Sequence, residues 1–174
     1  MMAKKFFQSN YYQDVTIHVC NIDDSLVQEF VLSVLAEEQD PKVRLWYSTG
    51  LADRDIKYFL VSVVDGVPIS GCGTGDDGKI LRYLYTLPEY RNKYRGLAQI
   101  DYTPIFVELA DRDTLYLSID AFDEKHRKLA KAWDRVILSG VPAEKQPYRA
   151  KWKYIGIYKY RGAQQHFYEL KLND

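Results

Sequence analysis

Arg91, Lys93 and Arg95 put three cations into five residues, and Gly96 follows them directly. A strand-like run, Leu84-Tyr85-Thr86-Leu87, precedes this stretch, and Leu97-Ala98 reads as the start of a helix. The chemistry that such a segment can do is anion binding. The first amides of a helix lack internal acceptors, the helix dipole favours negative charge there, and guanidinium or ammonium groups beside it add attraction. A phosphate or pyrophosphate is the expected ligand class.

Other reactive side chains are sparse. Cys20 and Cys72 are the only cysteines and sit in apolar or small-residue stretches, which predicts two buried thiols. His18, His126 and His166 are scattered without close Cys or His partners, so no metal site is expected. Gly71-Cys72-Gly73-Thr74-Gly75-Asp76-Asp77-Gly78 is superficially like a nucleotide-binding loop. Such a loop must lead into a helix, whereas Lys79–Leu87 reads as a strand, so a hairpin turn is the expectation.

The chain has 174 residues, 47% of them hydrophobic and 28% charged, which is enough to bury a core in one domain over residues 1–174. The net charge is zero, which argues against general nucleic-acid binding. Residues 1–87 hold 8 Lys+Arg and 12 Asp+Glu, a balance of −4, and residues 88–174 hold 16 and 12, a balance of +4. No apolar run approaches a membrane span. The opening Met1–Gln8 begins like a signal peptide without its apolar segment, and a cytoplasmic location is expected.

Several elements must position the cationic segment. Val15–Ile22 alternates as a strand, and Asp23 or Asp24 can cap a following helix. Leu26, Val27, Phe30, Val31, Val34 and Leu35 recur with helical spacing, and Pro41 stops that helix. A short second helix is expected near Leu51–Tyr58. Tyr58–Val64 and Val67–Cys72 flank Asp65-Gly66 as a hairpin. Leu97, Ile100, Ile105 and Leu109 form a helical stripe that Pro104 should kink. Thr114–Ile119 reads as a strand, Phe122–Val136 as a basic amphipathic helix, and Pro142–Lys153 as a loop. Tyr154–Tyr160 and Gln165–Leu172 form a last hairpin around Arg161–Gln164. The order predicts a mixed α/β fold with a central, mostly antiparallel sheet flanked by helices.

The segment Thr86-Leu87-Pro88-Glu89-Tyr90-Arg91 through Gly96 resembles the acyl-CoA signature of the GCN5-related N-acetyltransferases, roughly V-x-P-x-Y-R-x-x-G-x-G/A. Thr86, Pro88, Tyr90, Arg91 and Gly96 fall in register, and Tyr94 stands where the pattern has its first glycine. The element order is similar to that fold from Val15 to Leu172. The resemblance implies a GNAT-like acyl-CoA N-acyltransferase fold, with acetyl-CoA (coenzyme A) as co-substrate. It further implies a central strand splayed from its neighbour, so that Leu84, Tyr85 and Thr86 offer main-chain groups to the pantetheine arm. Arg91, Asn92, Lys93, Tyr94, Arg95, Gly96 and Leu97 would then surround the pyrophosphate.

The implied reaction is direct transfer of an acetyl (acyl) group to a primary amine of a small molecule or protein. The amine must be neutral when it attacks, and the departing thiolate takes up a proton. Tyr85, Glu89 and His126 are the candidate catalytic groups, since Lys79–Leu87 holds no carboxylate and Ala121–Val136 no tyrosine. The acids of the first half, Glu37 and Glu38 among them, point faintly to a cationic acceptor. Partners are therefore an amine-bearing acceptor, with no nucleic acid and no membrane, and with a homodimer left open. A second reading keeps the fold as a catalytically degenerate binding or assembly module, using its 15 Tyr and 3 Trp for protein contacts. A third, single-stranded nucleic acid at Tyr148–Lys153, fits that segment's composition.

Overall fold

A computed structural model describes residues 5–9, 13–49, 56–75, 78–93, 102–120 and 150–172. The described strands form one eight-stranded sheet in the order β1-β2-β3-β4-β5-β6-β8-β7. In chain order these are β1 (Lys5–Gln8), β2 (Val15–Asn21), β3 (Tyr58–Val64), β4 (Val67–Gly75), β5 (Ile80–Thr86), β6 (Thr114–Asp120), β7 (Ala150–Tyr160) and β8 (Ala163–Leu172). Every pairing is antiparallel except β5 with β6. The mixed, mostly antiparallel sheet read from the element order is thus the sheet observed.

Helices cover both faces. On one face α1 (Ser25–Glu37) and α2 (Pro41–Thr49) pack through Val27, Phe30, Val34 and Tyr47 against Phe59, Val61 and Val63 of β3. On the other, α3 (Pro104–Leu109) brings Ile105, Phe106 and Val107 onto Val15, Ile17 and Val19 of β2 and Leu115 and Leu117 of β6. Alternation along β2 sends Val15, Ile17 and Val19 to the α3 side and Cys20 to the other. Cys20 and Cys72 are both buried free thiols.

Local chemistry explains where the elements start and stop. Asp24 is the N-cap of α1, its Oδ1 accepting from the Leu26 amide at 2.9 Å. Two hairpins close on tight turns with left-handed residues, Asp65-Gly66 (φ 50° and 76°) and Arg161-Gly162 (φ 51° and 81°). Positive φ at both central positions is the primed turn whose twist matches that of paired strands. The second turn is tighter than expected, so Ala163 and Gln164 already belong to β8.

Three expectations are corrected. A helix forms at Pro41–Thr49, ahead of the expected Leu51–Tyr58, of which Leu51–Asp55 lie outside the described residues: Pro41 sits in the first turn, where its missing N–H costs nothing, and Asp40 Oδ1 accepts from the Lys42 amide. Tyr58 instead opens β3. Pro104 likewise begins α3 and does not kink it, so no internal hydrogen bond is lost. Ala150–Lys153, expected in a loop, pair with Lys171, Leu172 and their neighbours as the start of β7. Lys5–Gln8, which carried no expectation of structure, adds to the sheet beside β2 through Phe7↔Ile17. Residues 94–101 and 121–149, which hold the expected helix start at Leu97, the helix Phe122–Val136, Tyr94, Arg95, Gly96 and His126, lie outside the described residues.

Candidate functional site

The site is built where β5 leaves its neighbours. Against β4 its register runs Gly75↔Ile80, Thr74↔Leu81 and Gly73↔Arg82, then resumes at Gly71↔Tyr85 and Ser70↔Thr86. Cys72 therefore faces both Tyr83 and Leu84. One extra residue in one strand is a β-bulge, and Tyr83 takes it up with φ 58°. A bulky residue in that region costs about 1–2 kcal/mol, so its surroundings must hold it. The buried Tyr47 hydroxyl of α2 does so by donating to the Tyr83 carbonyl, with the two rings 5.8 Å apart.

The bulge also reverses the alternation of side chains. Leu81 lies in the α3-side cluster, yet Tyr83 packs against the α1-side cluster. In a regular strand residues two apart share a face. Beyond the bulge Leu84 packs on the α3 side, while Tyr85 and Leu87 lie on the α1 side. Glycines make room for this arrangement. A Cβ on Gly71 would meet Phe59 Cε1 at 2.6 Å and Phe30 Cε1 at 2.8 Å, and one on Gly73 would meet Phe59 Cδ2 at 2.7 Å. The glycine-rich stretch thus admits aromatic rings onto β4.

On its other edge β5 pairs with β6 only through Ile80↔Tyr116 and Leu81↔Leu117. From Arg82 onward the two strands part. The Leu87 amide donates to Ile69 O on β4, so Tyr85, two residues back, also turns its main chain toward β4. Thr86 and Leu84, of opposite parity, turn theirs toward the opening. Arg91 confirms the direction for Thr86 by donating from Nε to its carbonyl at 2.7 Å.

A side-chain network closes over the α1 side of this edge. The Tyr85 hydroxyl donates to Glu38 Oε2 at 2.7 Å, and Arg91 Nη2 lies 3.6 Å from the same oxygen. The guanidinium also sits 4.9 Å from the centroid of the Tyr85 ring. Glu38 Oε1 accepts from the amides of Gln39 (3.0 Å) and Asp40 (2.9 Å) just past the end of α1. Burial disfavours the charged form of Glu38, but the Asp40 amide, the Tyr85 hydroxyl, Arg91 and the Gln39 amide outweigh it and lower its pKa. For Tyr85, burial first and the hydrogen bond to Glu38 second raise the phenol far above its ordinary value, against the opposing pull of Arg91. Glu38 is an ionised acceptor, and Tyr85 is a neutral phenol.

Of the residues singled out in the sequence, Tyr85, Thr86 and Arg91 are brought together, with Leu84 beside them on the opposite face. Glu89 is exposed on the 3-10 turn Pro88–Lys93 and takes no part in the network. Asn92 and Lys93 end that turn. Sequence reasoning passed over Tyr47, and it placed Glu38 only among the acids facing a cationic acceptor, not beside Tyr85 and Arg91. Glu38 carried one signal: a carboxylate at the C-terminal end of a helix opposes the dipole, so it needs a partner from elsewhere. Tyr47 carried none, because a tyrosine on a helix reads as ordinary packing.

No family model matches the sequence, and no curated protein matches it. Solved structures do match. A Desulfovibrio desulfuricans protein assigned to the GNAT family of acetyltransferases superposes with a TM-score of 0.58 at 12% identity, covering 90% of this chain and 98% of that one. This chain has the fold of the GCN5-related N-acetyltransferases. Two more solved structures agree. A Staphylococcus aureus Mu50 acetyltransferase of the GNAT family gives a TM-score of 0.52 at 14% identity over 90% of this chain and 99% of its own. An aminoglycoside 6′-N-acetyltransferase, solved with coenzyme A, gives 0.53 at 14% identity over 88% and 96%. The GNAT fold of this chain therefore rests on backbone geometry over nearly the whole length, where sequence identity is too low to be read.

Proposed function

We propose that this chain is an acyl-CoA-dependent N-acyltransferase that uses acetyl-CoA and transfers the acyl group to a primary amine. The observation that carries the reading is the open edge of β5. Pairing with β6 stops at Leu81, and Thr86 turns its main chain into the gap. A pantetheine arm is an extended chain of amides and fits such an edge as an added strand would. Structures of the same fold solved with coenzyme A and with acetyl-CoA support the choice of co-substrate.

In this reading Leu84 and Thr86 meet the pantetheine, and a fixed main-chain donor at this edge stabilises the oxyanion that develops on the thioester carbonyl. Arg91, with Asn92, Lys93, Tyr94, Arg95, Gly96 and Leu97, takes the pyrophosphate. The neutral amine attacks the carbonyl carbon, the N–C bond forms, the C–S bond breaks, and coenzyme A leaves as the thiolate, which then takes up a proton. Tyr85, a catalytic candidate in the sequence, fits proton transfer poorly in this scheme, because its hydroxyl proton is committed to Glu38 on the α1 side and burial holds the phenol neutral. Glu89 and His126 are the proposed proton-transfer groups.

The test combines titration calorimetry of acetyl-CoA with an assay for free thiol over a panel of primary amines. Binding together with acceptor-dependent thiol release supports the enzyme. Binding without thiol release for any amine favours the module reading, in which the fold is kept and catalysis lost. No binding at millimolar acetyl-CoA rejects the reading outright.

A further inference from the structure

Arg91 is held in a way that its proposed partner, a phosphate, would have to undo. Its Nε donates to the Thr86 carbonyl at 2.7 Å, on the edge that an incoming pantetheine would use. Its Nη2 lies 3.6 Å from Glu38 Oε2, and its side chain is 48% exposed. The ion pair is longer than a hydrogen bond, and half-exposed pairs of this kind contribute about 0–1 kcal/mol. Glu38 does not depend on it. The Tyr85 hydroxyl and the Gln39 and Asp40 amides still satisfy the carboxylate when the guanidinium leaves. A pyrophosphate carries more negative charge than one carboxylate and accepts from the guanidinium fork with two oxygens. The exchange is therefore downhill for Arg91, Glu38 keeps its other donors, and the Thr86 carbonyl that Arg91 releases passes to the amides of the pantetheine arm.

We propose that Glu38 and the cofactor's phosphate compete for Arg91, so that the Glu38–Arg91 pair is a latch over the open edge of β5 that acyl-CoA must open. This rests on the acyl-CoA reading above. It makes Glu38 a positioning residue that sets cofactor affinity without touching the cofactor. Weakening Glu38 then has a sign that a purely structural role would not produce: tighter binding.

The experiment is calorimetry of acetyl-CoA with the wild type, Glu38→Gln, Arg91→Ala and the double variant, with the melting temperature of each recorded. The latch requires Glu38→Gln to bind about 2–5-fold tighter than wild type, the size expected of a half-exposed ion pair. Arg91→Ala should bind about tenfold weaker, as loss of a charge-assisted contact implies. The double variant should match Arg91→Ala, because Glu38 acts only through Arg91. Should Glu38→Gln fold poorly, Glu38→Asp withdraws the carboxylate by one methylene and must shift affinity in the same direction. Unchanged or weaker binding by folded Glu38 variants overturns the latch while leaving the acyl-CoA reading intact, and so does tightening that persists without Arg91. A wild type that does not bind acetyl-CoA removes the acyl-CoA reading and the latch together.

Discussion

The hydroxyl of Tyr85 donates to Glu38 Oε2 at 2.7 Å, joining two residues 47 positions apart in sequence. The bond ties the middle of the sheet to the end of α1. It holds the Tyr85 ring under the guanidinium of Arg91, so three elements meet at one carboxylate.

Tyr85→Phe keeps the ring and removes this bond. A hydrogen bond to a partly buried charged acceptor contributes about 1–2 kcal/mol, so the melting temperature should fall by about 2–8 °C. Acetyl-CoA affinity should stay within about twofold of wild type on the same scale, since the hydroxyl faces Glu38 and not the open edge. Calorimetry and a thermal melt check both halves.

Glu38 predicts a pH dependence. Its pKa in the folded protein is lowered from an ordinary 4.5, so the unfolded chain binds the proton more tightly. The contribution is present above about pH 4.5 and is lost as the pH falls through the lower, folded value. Urea midpoints measured between pH 6 and pH 3 should drop more steeply for wild type than for Glu38→Gln. Parallel curves would show that Glu38 is not held ionised by this network.

Tyr47→Phe removes the donor that holds the strained Tyr83 carbonyl. Tyr47 is 3% exposed, so water cannot replace the lost hydroxyl without entering the core. The expected cost is about 1–3 kcal/mol, read as a lower urea midpoint. Hydrogen exchange should quicken at Tyr83 and Leu84, where the bulge loses its support.

Gly71→Ala tests the close approach of two rings to β4. The added methyl would lie 2.6 Å from Phe59 and 2.8 Å from Phe30, both fully buried rings. Overpacking of this kind costs about 1–3 kcal/mol. A variant as stable as wild type would mean that the sheet and α1 separate more easily than their packing suggests.

Local signals were legible wherever a residue acts on its own neighbourhood. The Asp24 cap, the Val27–Phe30–Val34 stripe and the Asp65-Gly66 turn stand as read, since capping, periodicity and turn chemistry span only a few residues. The first helix does end before Pro41, but Pro41 also opens α2, and Pro104, read as a kink, opens α3. Proline alone does not say which side of it is helical. The strand Lys5–Gln8 was missed because its pairing partner, not its own sequence, makes it a strand.

The sequence by itself determined the mixed α/β character with a mostly antiparallel sheet, the faces of α1 and β2, and a cationic segment placed directly after a buried strand. Hydrophobic periodicity and turn residues carry that information in neighbouring positions. Only the tertiary structure decided that β5 bulges at Tyr83, parts from β6 after Leu81, and turns Thr86 to an open edge held by Arg91. It alone brought Glu38 from the end of α1 to Tyr85 and Tyr47 from α2 to Tyr83. A bulge is a mismatch in count between two strands, and a hydrogen bond across 47 or 36 residues is a matter of distance in space. Neither is a property of any short stretch of chain.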